Sequence, residues 1–200
     1  MHIENHKEEV PFSYYADLFA KADPVEITAR LGLPFENGAF SVRLLGKTYT
    51  VAHPTAAVSV DGPQPPLPLQ TFLLRWLMEG KIVSWQGQWK TFREMPWGEL
   101  YIQPYTGRVL TRAAYTFATR LAAFRAACEK LGAAPVSNGD AGYELEFLPG
   151  MSMRILLWEA DEEFPPSAQV LYTDNFTDAL APEDRVVAGD LLISHIKAAM

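Results

Sequence analysis

The sequence predicts an α+β fold in which antiparallel hairpins and sheet pack with about four to five helices. Helical and alternating patterns occur in separate clusters, without the regular alternation of strand and helix that a doubly wound fold requires. The 200 residues are 48% hydrophobic and 20% charged, which is ordinary for a globular chain. We expect a single domain over residues 1–200, with two lobes meeting near residues 61–68 or 132–140 as the alternative.

The first third of the chain predicts two helices followed by a hairpin. Residues 11–22 (PFSYYADLFAKA) have a helical pattern. Asp23 suits the N-cap of a second, short helix, which Gly32 ends. Residues 39–53 alternate apolar and polar side chains on both sides of a turn, as a hairpin with one buried face requires. Residues 56–60 (AAVSV) add a third strand.

The middle third predicts a connector, short strands and a long helix. Residues 61–70 hold four prolines and a glycine, so they are a connector and not central sheet. A helix follows and ends at Gly80. The aromatic stretch over residues 85–105 contains two turn signals, which favours two or three short strands over a helix. Residues 112–131 repeat apolar side chains at steps of four and three, which predicts a helix.

The last third predicts a hairpin, another strand and a final helix. Residues 143–158 alternate about a Pro149, Gly150 turn, and residues 167–173 (SAQVLYT) suit the next strand. Pro182 opens a helix that runs almost to Met200.

Charge and hydropathy exclude several classes of function. The formal net charge is −7, and residues 138–200 hold twelve acids and three bases. This acidic part argues against nucleic acid and against an anionic membrane surface as partners. The longest apolar run is too short to span a bilayer, and the first ten residues are polar where a signal peptide would be apolar. We therefore expect a cytoplasmic protein.

The single cysteine excludes one cofactor within one chain. Cys128 permits no internal disulfide and does not supply the four thiolates usual for an iron–sulfur cluster. Its place on the apolar side of a helix predicts a buried, inert thiol. The sequence also lacks a nucleophile elbow, a phosphate-binding glycine loop and histidine pairs at metal-site spacing. Common hydrolase, kinase and dinucleotide-binding functions therefore have no support.

The aromatic stretch over residues 85–105 is the first candidate site. Tryptophans at this density most often fill a core. The functional alternative is a pocket for a conjugated or nucleotide-like ligand, with flat walls and cations that neutralise an anionic group. Its candidate ligand-binding residues are Trp85, Trp89, Lys90, Arg93, Trp97 and Tyr101. Alternate faces of one strand allow both interpretations at once.

An acidic stretch over residues 158–185 is the second, weaker candidate. If the chain is extended there, Glu159, Asp161 and Glu163 project to one side, and with Asp174 they offer hard oxygens for magnesium or calcium. The spacing is not that of an EF-hand, and acids at the end of a hairpin usually form a solvated loop. Metal binding and a solubilising role both stay open.

Two phrases of the sequence resemble a known family. Residues 89–101 (WKTFREMPWGELY) and 158–176 (WEADEEFPPSAQVLYTDNF), with the helix that follows, are similar to the bacterial and archaeal family catalogued as domain of unknown function 3786. Members of the family are typical of anaerobes, and the resemblance implies an accessory role near redox or cofactor metabolism. Some members are described as iron–sulfur proteins, which fits a fused cysteine-rich module; this chain, with Cys128 alone, departs from that pattern.

These observations lead to three hypotheses of different classes. The leading one is a non-catalytic domain that binds a small ligand or a redox-protein partner through the aromatic stretch. The second is a metal-assisted enzyme that uses the acidic residues. The third is a subunit of a larger assembly, including a homo-oligomer.

Overall fold

The structure is a computed structural model and describes residues 7–200. The chain divides into two compact units. The first extends to Val83 and includes Asp178–Leu180, and the second comprises Ser84–Thr177 and Ala181–Met200. The division falls after Val83, outside the two connectors suggested by the sequence. A single domain over the whole chain stays a prediction.

The first unit begins with two helices whose ends follow the sequence signals. Helix α1 is Glu9–Lys21 and helix α2 is Pro24–Leu31. The Asp23 carboxylate accepts the N–H of Val25 at 2.8 Å, which satisfies a backbone donor that the helix leaves without an internal partner. Gly32 ends α2 with φ 62°, a left-handed conformation that glycine adopts without steric cost.

A four-stranded antiparallel sheet follows in the order β1-β2-β3-β4. The strands are β1 (Phe35–Glu36), β2 (Ala39–Leu44), β3 (Lys47–Ala52) and β4 (Val58–Val60). The inward side chains Phe40, Val42 and Val51 are almost fully buried. Helix α3 (Leu67–Glu79) closes the unit, and the Arg30 guanidinium donates to the carbonyls of Leu77 and Gly80 at its C-terminal end.

The second unit is built on a five-stranded antiparallel sheet in the order β5-β9-β8-β7-β6. Its strands are β5 (Trp89–Thr91), β6 (Ala134–Pro135), β7 (Ala141–Leu148), β8 (Met151–Trp158) and β9 (Ser167–Thr173). Inward side chains such as Phe147, Ile155 and Tyr172 are fully buried. The opposite face is mixed, with polar residues such as Glu144 and Gln169 beside the apolar Leu156, Leu171 and Trp89.

Helical segments cover the inner face of this sheet. Helix α4 (Gly98–Tyr105) continues through a π-helical segment (Thr106–Thr111) into α5 (Arg112–Phe117), a 3₁₀ turn (Ala118–Arg120) and α6 (Leu121–Lys130). The short helix α7 (Phe176–Ala179) precedes α8 (Pro182–Ala199). Gly189 of α8 permits close packing, because a Cβ there would lie 2.9 Å from Val109 and 3.0 Å from the Tyr172 hydroxyl.

The structure confirms the α+β fold and corrects two elements. The aromatic stretch contains only one strand, followed by a 3₁₀ turn (Phe92–Glu94) and helix α4, so the prediction of two or three strands was wrong. Pro104 lies inside α4 and has no backbone N–H to donate to the helix. The irregular π-helical segment follows directly after α4. The helix predicted over residues 112–131 is broken at Ala118–Arg120.

Among residues 7–200, no helix is both long and apolar enough to cross a membrane.

Candidate functional site

The aromatic stretch divides into a buried part and an exposed part. Phe92 and Tyr105 are buried and stack with ring centroids 4.0 Å apart and planes 7° apart. In contrast, Trp85 is 46% exposed and Trp97 is 63% exposed. The stretch is therefore core at Phe92 and Tyr105 and surface at Trp85 and Trp97, and none of these four residues lies on strand β5.

Trp97 stands on a tight turn over residues 95–98, here named the Trp97 turn. Its backbone has φ 67° and ψ 0°, a left-handed conformation that is strained for a bulky side chain. The next residue must be glycine, because a Cβ on Gly98 would collide with the Phe92 carbonyl oxygen. Leu100, in the first turn of α4, is 71% exposed. Trp97 and Leu100 are therefore two exposed apolar side chains three residues apart in the chain.

A buried arginine supports this turn from the second unit's last helix. Arg185 is only 3% exposed, and its Nη1 donates to the Pro96 carbonyl at 2.8 Å. Its Nη2 donates to the Thr177 carbonyl, also at 2.8 Å. Charge-assisted hydrogen bonds of this kind are stronger than neutral ones. The backbone immediately before Trp97 is thereby fixed from the interior.

Trp85 stands on a second turn over residues 85–88, here named the Trp85 turn. The Asp174 carboxylate accepts the N–H groups of Gln86 and Gln88, each at 3.0 Å. The Asp174 backbone N–H donates to the Gln88 carbonyl at 3.0 Å, and the Trp85 indole N–H donates to the same oxygen at 3.0 Å. Asp174, predicted as a metal ligand, acts here as the anchor of a turn.

Trp89 and Lys90 project from opposite faces of strand β5. Trp89 pairs with Thr173 and Lys90 with Tyr172, and successive side chains of a strand alternate between faces. Tyr172 is fully buried, so Lys90 lies on the core side at the sheet edge while Trp89 lies on the other face. The structure does not bring this lysine and this tryptophan together.

The face of Trp89 is covered by a cation of its own sheet. The Arg154 guanidinium lies 3.9 Å from the Trp89 ring centroid, and its Nε donates to the Glu144 carboxylate at 3.0 Å. The Trp85 ring meets Trp89 nearly edge-on, with centroids 5.7 Å apart. A cation–π contact at a partly buried site contributes about 1 kcal/mol. Trp89 therefore packs against Trp85. Arg154 covers a face of the Trp89 ring that the sequence analysis assigned to a ligand.

Arg93 and Tyr101 flank the Trp97 turn. The Arg93 Nε lies 3.3 Å from a Glu99 carboxylate oxygen, and the two side chains are 62% and 70% exposed. Such an exposed ion pair contributes at most about 1 kcal/mol. Tyr101 is half-buried, and its backbone N–H donates to the Trp97 carbonyl. Of the six predicted ligand-binding residues, Arg93, Trp97 and Tyr101 form one group, and Trp85 and Trp89 form another.

Two buried tyrosines of the second unit stay neutral at ordinary pH. Burial raises the pKa of both Tyr105 and Tyr172. Their hydroxyl oxygens are 3.1 Å apart, and Tyr172 lies 3.3 Å from the Arg185 carbonyl oxygen. Burial also raises the pKa of the Cys128 thiol to about 12, which agrees with a buried, inert thiol.

The predicted metal ligands are dispersed over backbone contacts and solvent. Glu159, Asp161 and Glu163 are exposed. Asp161 accepts the N–H groups of Phe164 and Glu163 at 2.7 and 2.8 Å, and these hydrogen bonds lower the pKa of Asp161. Within residues 7–200, no three His, Cys, Asp or Glu side chains gather so as to hold a metal ion. A metal site that uses these acids stays a prediction.

Sequence reasoning missed three contributors to this region. Leu100 follows Trp97 at helical spacing, but the strand prediction hid that relation. Arg154 was available as the only base between residues 138 and 184, a signal that could have singled it out. Arg185 carries no such signal, because nothing in a helix sequence indicates which carbonyl its guanidinium meets.

The comparisons with known proteins give a family and no further relative. No curated protein and no solved structure matches the chain. The family described as Domain of unknown function (DUF3786) matches residues 23–195. That span contains both tryptophan-bearing turns together with Asp174 and Arg185, and it agrees with the resemblance noted in residues 89–101 and 158–176. The chain therefore belongs to the DUF3786 family.

Proposed function

We propose that the chain is a non-catalytic binding domain that recognises a partner protein through the Trp97 surface. This surface comprises Trp97, Leu100 and the Arg93–Glu99 ion pair. The observation that carries the proposal is Trp97 itself, 63% exposed and held at φ 67°. A strained conformation persists only where the surrounding structure enforces it, and such positions concentrate at functional sites.

The chemistry of the surface suits protein recognition. Tryptophan is enriched among the residues that contribute most to binding energy, where it enters a pocket on the partner and is ringed by less important polar contacts. Leu100, 71% exposed, extends the apolar contact by one helical step. The exposed pair of Arg93 and Glu99 supplies both signs of charge at the rim. An apolar centre with a charged rim is the usual anatomy of a protein interface.

A small ligand is the less favoured occupant. Small-ligand sites enclose about 70–90% of the ligand surface, whereas the two exposed indoles project toward solvent, at 46% and 63% exposure. Of the two predicted cations, Arg93 pairs with Glu99 and Lys90 lies on the core side of β5, while Arg154 covers Trp89. The expectation of a redox protein as the partner depends on the family resemblance and stays a prediction.

The extent of the surface favours a transient complex. A standard interface removes about 800 Å² of surface from each partner. Two exposed side chains supply only part of that area, so the contact includes neighbouring residues or remains weak. Interfaces at the small end of the range belong to short-lived signalling and electron-transfer encounters.

Site-specific crosslinking tests the proposal. A photoreactive phenylalanine analogue is placed at Leu100 and, as the matched control, at Tyr115, which is 60% exposed on α5. We expect a discrete crosslinked protein from position 100 and none from position 115. That protein is then purified, and its affinity for the chain is measured by calorimetry.

The change in affinity caused by each substitution decides the proposal. Trp97→Ala should weaken binding of the identified partner by about tenfold or more, while Tyr115→Ala should leave it within about twofold. Equal crosslinking at both positions, or an affinity unchanged by Trp97→Ala, would contradict the proposal. Native mass spectrometry of the purified chain adds the remaining comparison, because a bound small molecule or a stable homo-oligomer would appear there as excess mass.

A further inference from the structure

We propose that Arg108, Arg112 and Ser194 form a binding site for a phosphate monoester, here named the Arg108 site. The three side chains meet where the π-helical segment passes into α5 and contacts α8. The site shares no residue with the Trp97 surface, so it goes beyond the proposed function and does not depend on it.

Two arginines of the Arg108 site converge on a single carboxylate. The Arg108 Nη2 donates to one oxygen of Asp190 at 3.2 Å, and the Arg112 Nη1 donates to the other oxygen. These three side chains together carry a charge of +1, because one carboxylate neutralises only one of the two guanidinium groups. A guanidinium has five N–H donors, so further donors of both arginines suit a second anion.

The two arginines are fixed in place and also open to solvent. The Arg108 side chain is 55% exposed and the Arg112 side chain is 35% exposed. Because Asp190 holds both guanidinium groups from α8, part of the entropy cost of ordering two long side chains is met before an anion arrives. The planar fork of arginine matches the oxygens of a phosphate group. The pair is therefore preorganised for an oxyanion.

Ser194 adds a neutral donor and makes phosphate the best match. Its Oγ accepts the Arg112 Nη2 at 3.0 Å, which leaves the hydroxyl hydrogen to donate. Lys197, also exposed, follows Ser194 by three residues on α8, and side chains at this spacing are neighbours on one helix face. A phosphate monoester offers three acceptor oxygens and a charge of roughly −1.5 to −2. It therefore uses this donor set more fully than a carboxylate, which has two oxygens and one charge.

The local backbone and the local charge both support a binding role. The π-helical segment Thr106–Thr111 carries Arg108, and π-helical turns are rare and frequent at functional sites. Residues 106–131 hold five bases and one acid, although the whole chain has a net charge of −7. A concentration of positive charge raises the local concentration of anions. An anion is therefore attracted to this segment in spite of the negative net charge.

Phosphate titrations followed by NMR test the site. The Nε–H groups of the arginines are observed in ¹H–¹⁵N spectra while inorganic phosphate or phenyl phosphate replaces chloride at constant ionic strength. We expect saturable shifts at Arg108 and Arg112 with either phosphate, and small, non-saturating shifts with acetate. An absence of saturation with both phosphates, or an equal response to acetate, overturns the proposal.

A pair of charge-matched variants separates a defined site from a general positive field. Arg108→Gln and Arg120→Gln remove the same charge from the helical segments, but the Arg120 Nη2 donates to the Thr116 carbonyl instead of to Asp190. Arg108→Gln should weaken the binding of phenyl phosphate by about tenfold, and Arg120→Gln by at most about twofold. Equal losses in the two variants would contradict the proposal.

A second pair of variants changes no charge. Ser194→Ala should weaken the binding of phenyl phosphate by about fivefold, the size of one net hydrogen bond. Ser167→Ala, at an exposed serine that begins β9 in the same unit, should leave the affinity unchanged. Equal affinities of the two serine variants would contradict the site. This pair also decides the proposal if Arg108→Gln fails to fold.

Two further probes distinguish the sources of the phosphate group. Glycerol 3-phosphate carries it on a small molecule, and a short phosphoserine peptide carries it on a protein side chain. Equal affinities would assign the site to a small phosphate monoester, and tighter binding of the peptide would assign it to a phosphorylated partner. Either result supports the site, whereas failure of both probes to bind overturns it.

Discussion

Trp97 combines an exposed, large apolar side chain with a left-handed backbone. It is a large apolar side chain left 63% exposed, and its backbone is left-handed, with φ 67°. For a residue with a Cβ the left-handed region costs roughly 1–2 kcal/mol. The role in recognition proposed above would account for an exposed tryptophan at this position.

The strain at this residue predicts an unusual order of stabilities. Glycine adopts positive φ without steric cost, so Trp97→Gly should be more stable than Trp97→Ala by about 1 kcal/mol. Tyr115 is the matched control, because it is similarly exposed but lies within helix α5. There the order should reverse, with glycine about 1 kcal/mol less stable than alanine. Urea unfolding of the four variants measures both differences; the same order at both positions would show that residue 97 is not left-handed.

At the scale of elements, the path from β5 to α4 depends on a short capped turn. Thr91 and Glu94 form a capping box at the 3₁₀ turn. The Glu94 carboxylate accepts the backbone N–H and the hydroxyl of Thr91 at 2.7 and 2.8 Å. These hydrogen bonds lower the pKa of Glu94. The box thereby directs the chain away from the sheet edge and toward the Trp97 turn.

The lowered pKa of Glu94 makes the contribution of this turn to the free energy of unfolding depend on pH in a defined direction. A carboxyl group whose pKa is lower in the folded than in the unfolded protein stabilises the fold above its unfolded pKa, and the contribution is lost as the pH falls through its folded pKa. Glu94→Gln should therefore reduce the free energy of unfolding at neutral pH by about 0.5 kcal/mol, the size of a solvent-screened contact. The difference from the unmodified protein should shrink as the pH falls below the ordinary range of a glutamate pKa, and it should vanish once Glu94 is protonated in the folded protein.

Denaturant unfolding at neutral and acid pH measures this difference. Glu99→Gln is the control, since the Glu99 carboxylate meets only the exposed Arg93 guanidinium at 3.3 Å. It should have the smaller effect at neutral pH. A Glu94→Gln deficit that persists unchanged in acid would mean that the ionised carboxylate is not what holds the turn.

At the scale of the whole molecule, folding redistributes the charge seen along the sequence. Residues 138–200 carry −9 and residues 1–137 carry +2. Counted by structural unit, the first unit carries −3 and the second −4. The reason is that most bases of the middle third lie in the same unit as most acids of the last third, as the contact of Arg108 with Asp190 at 3.2 Å illustrates.

The contacts made by two of the predicted metal ligands bear on the metal hypothesis. Asp161 and Asp174 each accept two backbone N–H groups, and within residues 7–200 neither belongs to a cluster of three His, Cys, Asp or Glu side chains that could hold a metal ion. Millimolar Mg²⁺ or Ca²⁺ should leave the melting temperature of the chain unchanged. A site filled at a hundred times its dissociation constant would instead add about 2.7 kcal/mol. A saturable rise that disappears in Asp161→Asn or Asp174→Asn would restore the metal-assisted alternative.

The sequence by itself determined the elements whose signals are local. Asp23 and Gly32 bound helix α2, residues 39–53 form a hairpin, and residues 167–173 form strand β9 as predicted. Each depends on caps, turns or alternation within a few residues. Helix α4 escaped prediction because the two turn signals of the aromatic stretch favoured short strands, although packing of Phe92 on Tyr105 stabilises the helix in the fold.

Only the tertiary structure decided which of the predicted site residues share a surface. Composition identified an aromatic and basic stretch, yet Lys90 faces the core side, Arg154 covers Trp89, and Asp174 anchors a turn. These outcomes depend on contacts between residues some 65 to 90 positions apart, such as Arg185 with Pro96 at a separation of 89. A linear pattern records which residues are near in the chain. The partner of a buried charge is set by the packing of strands and helices that the chain brings together only when folded.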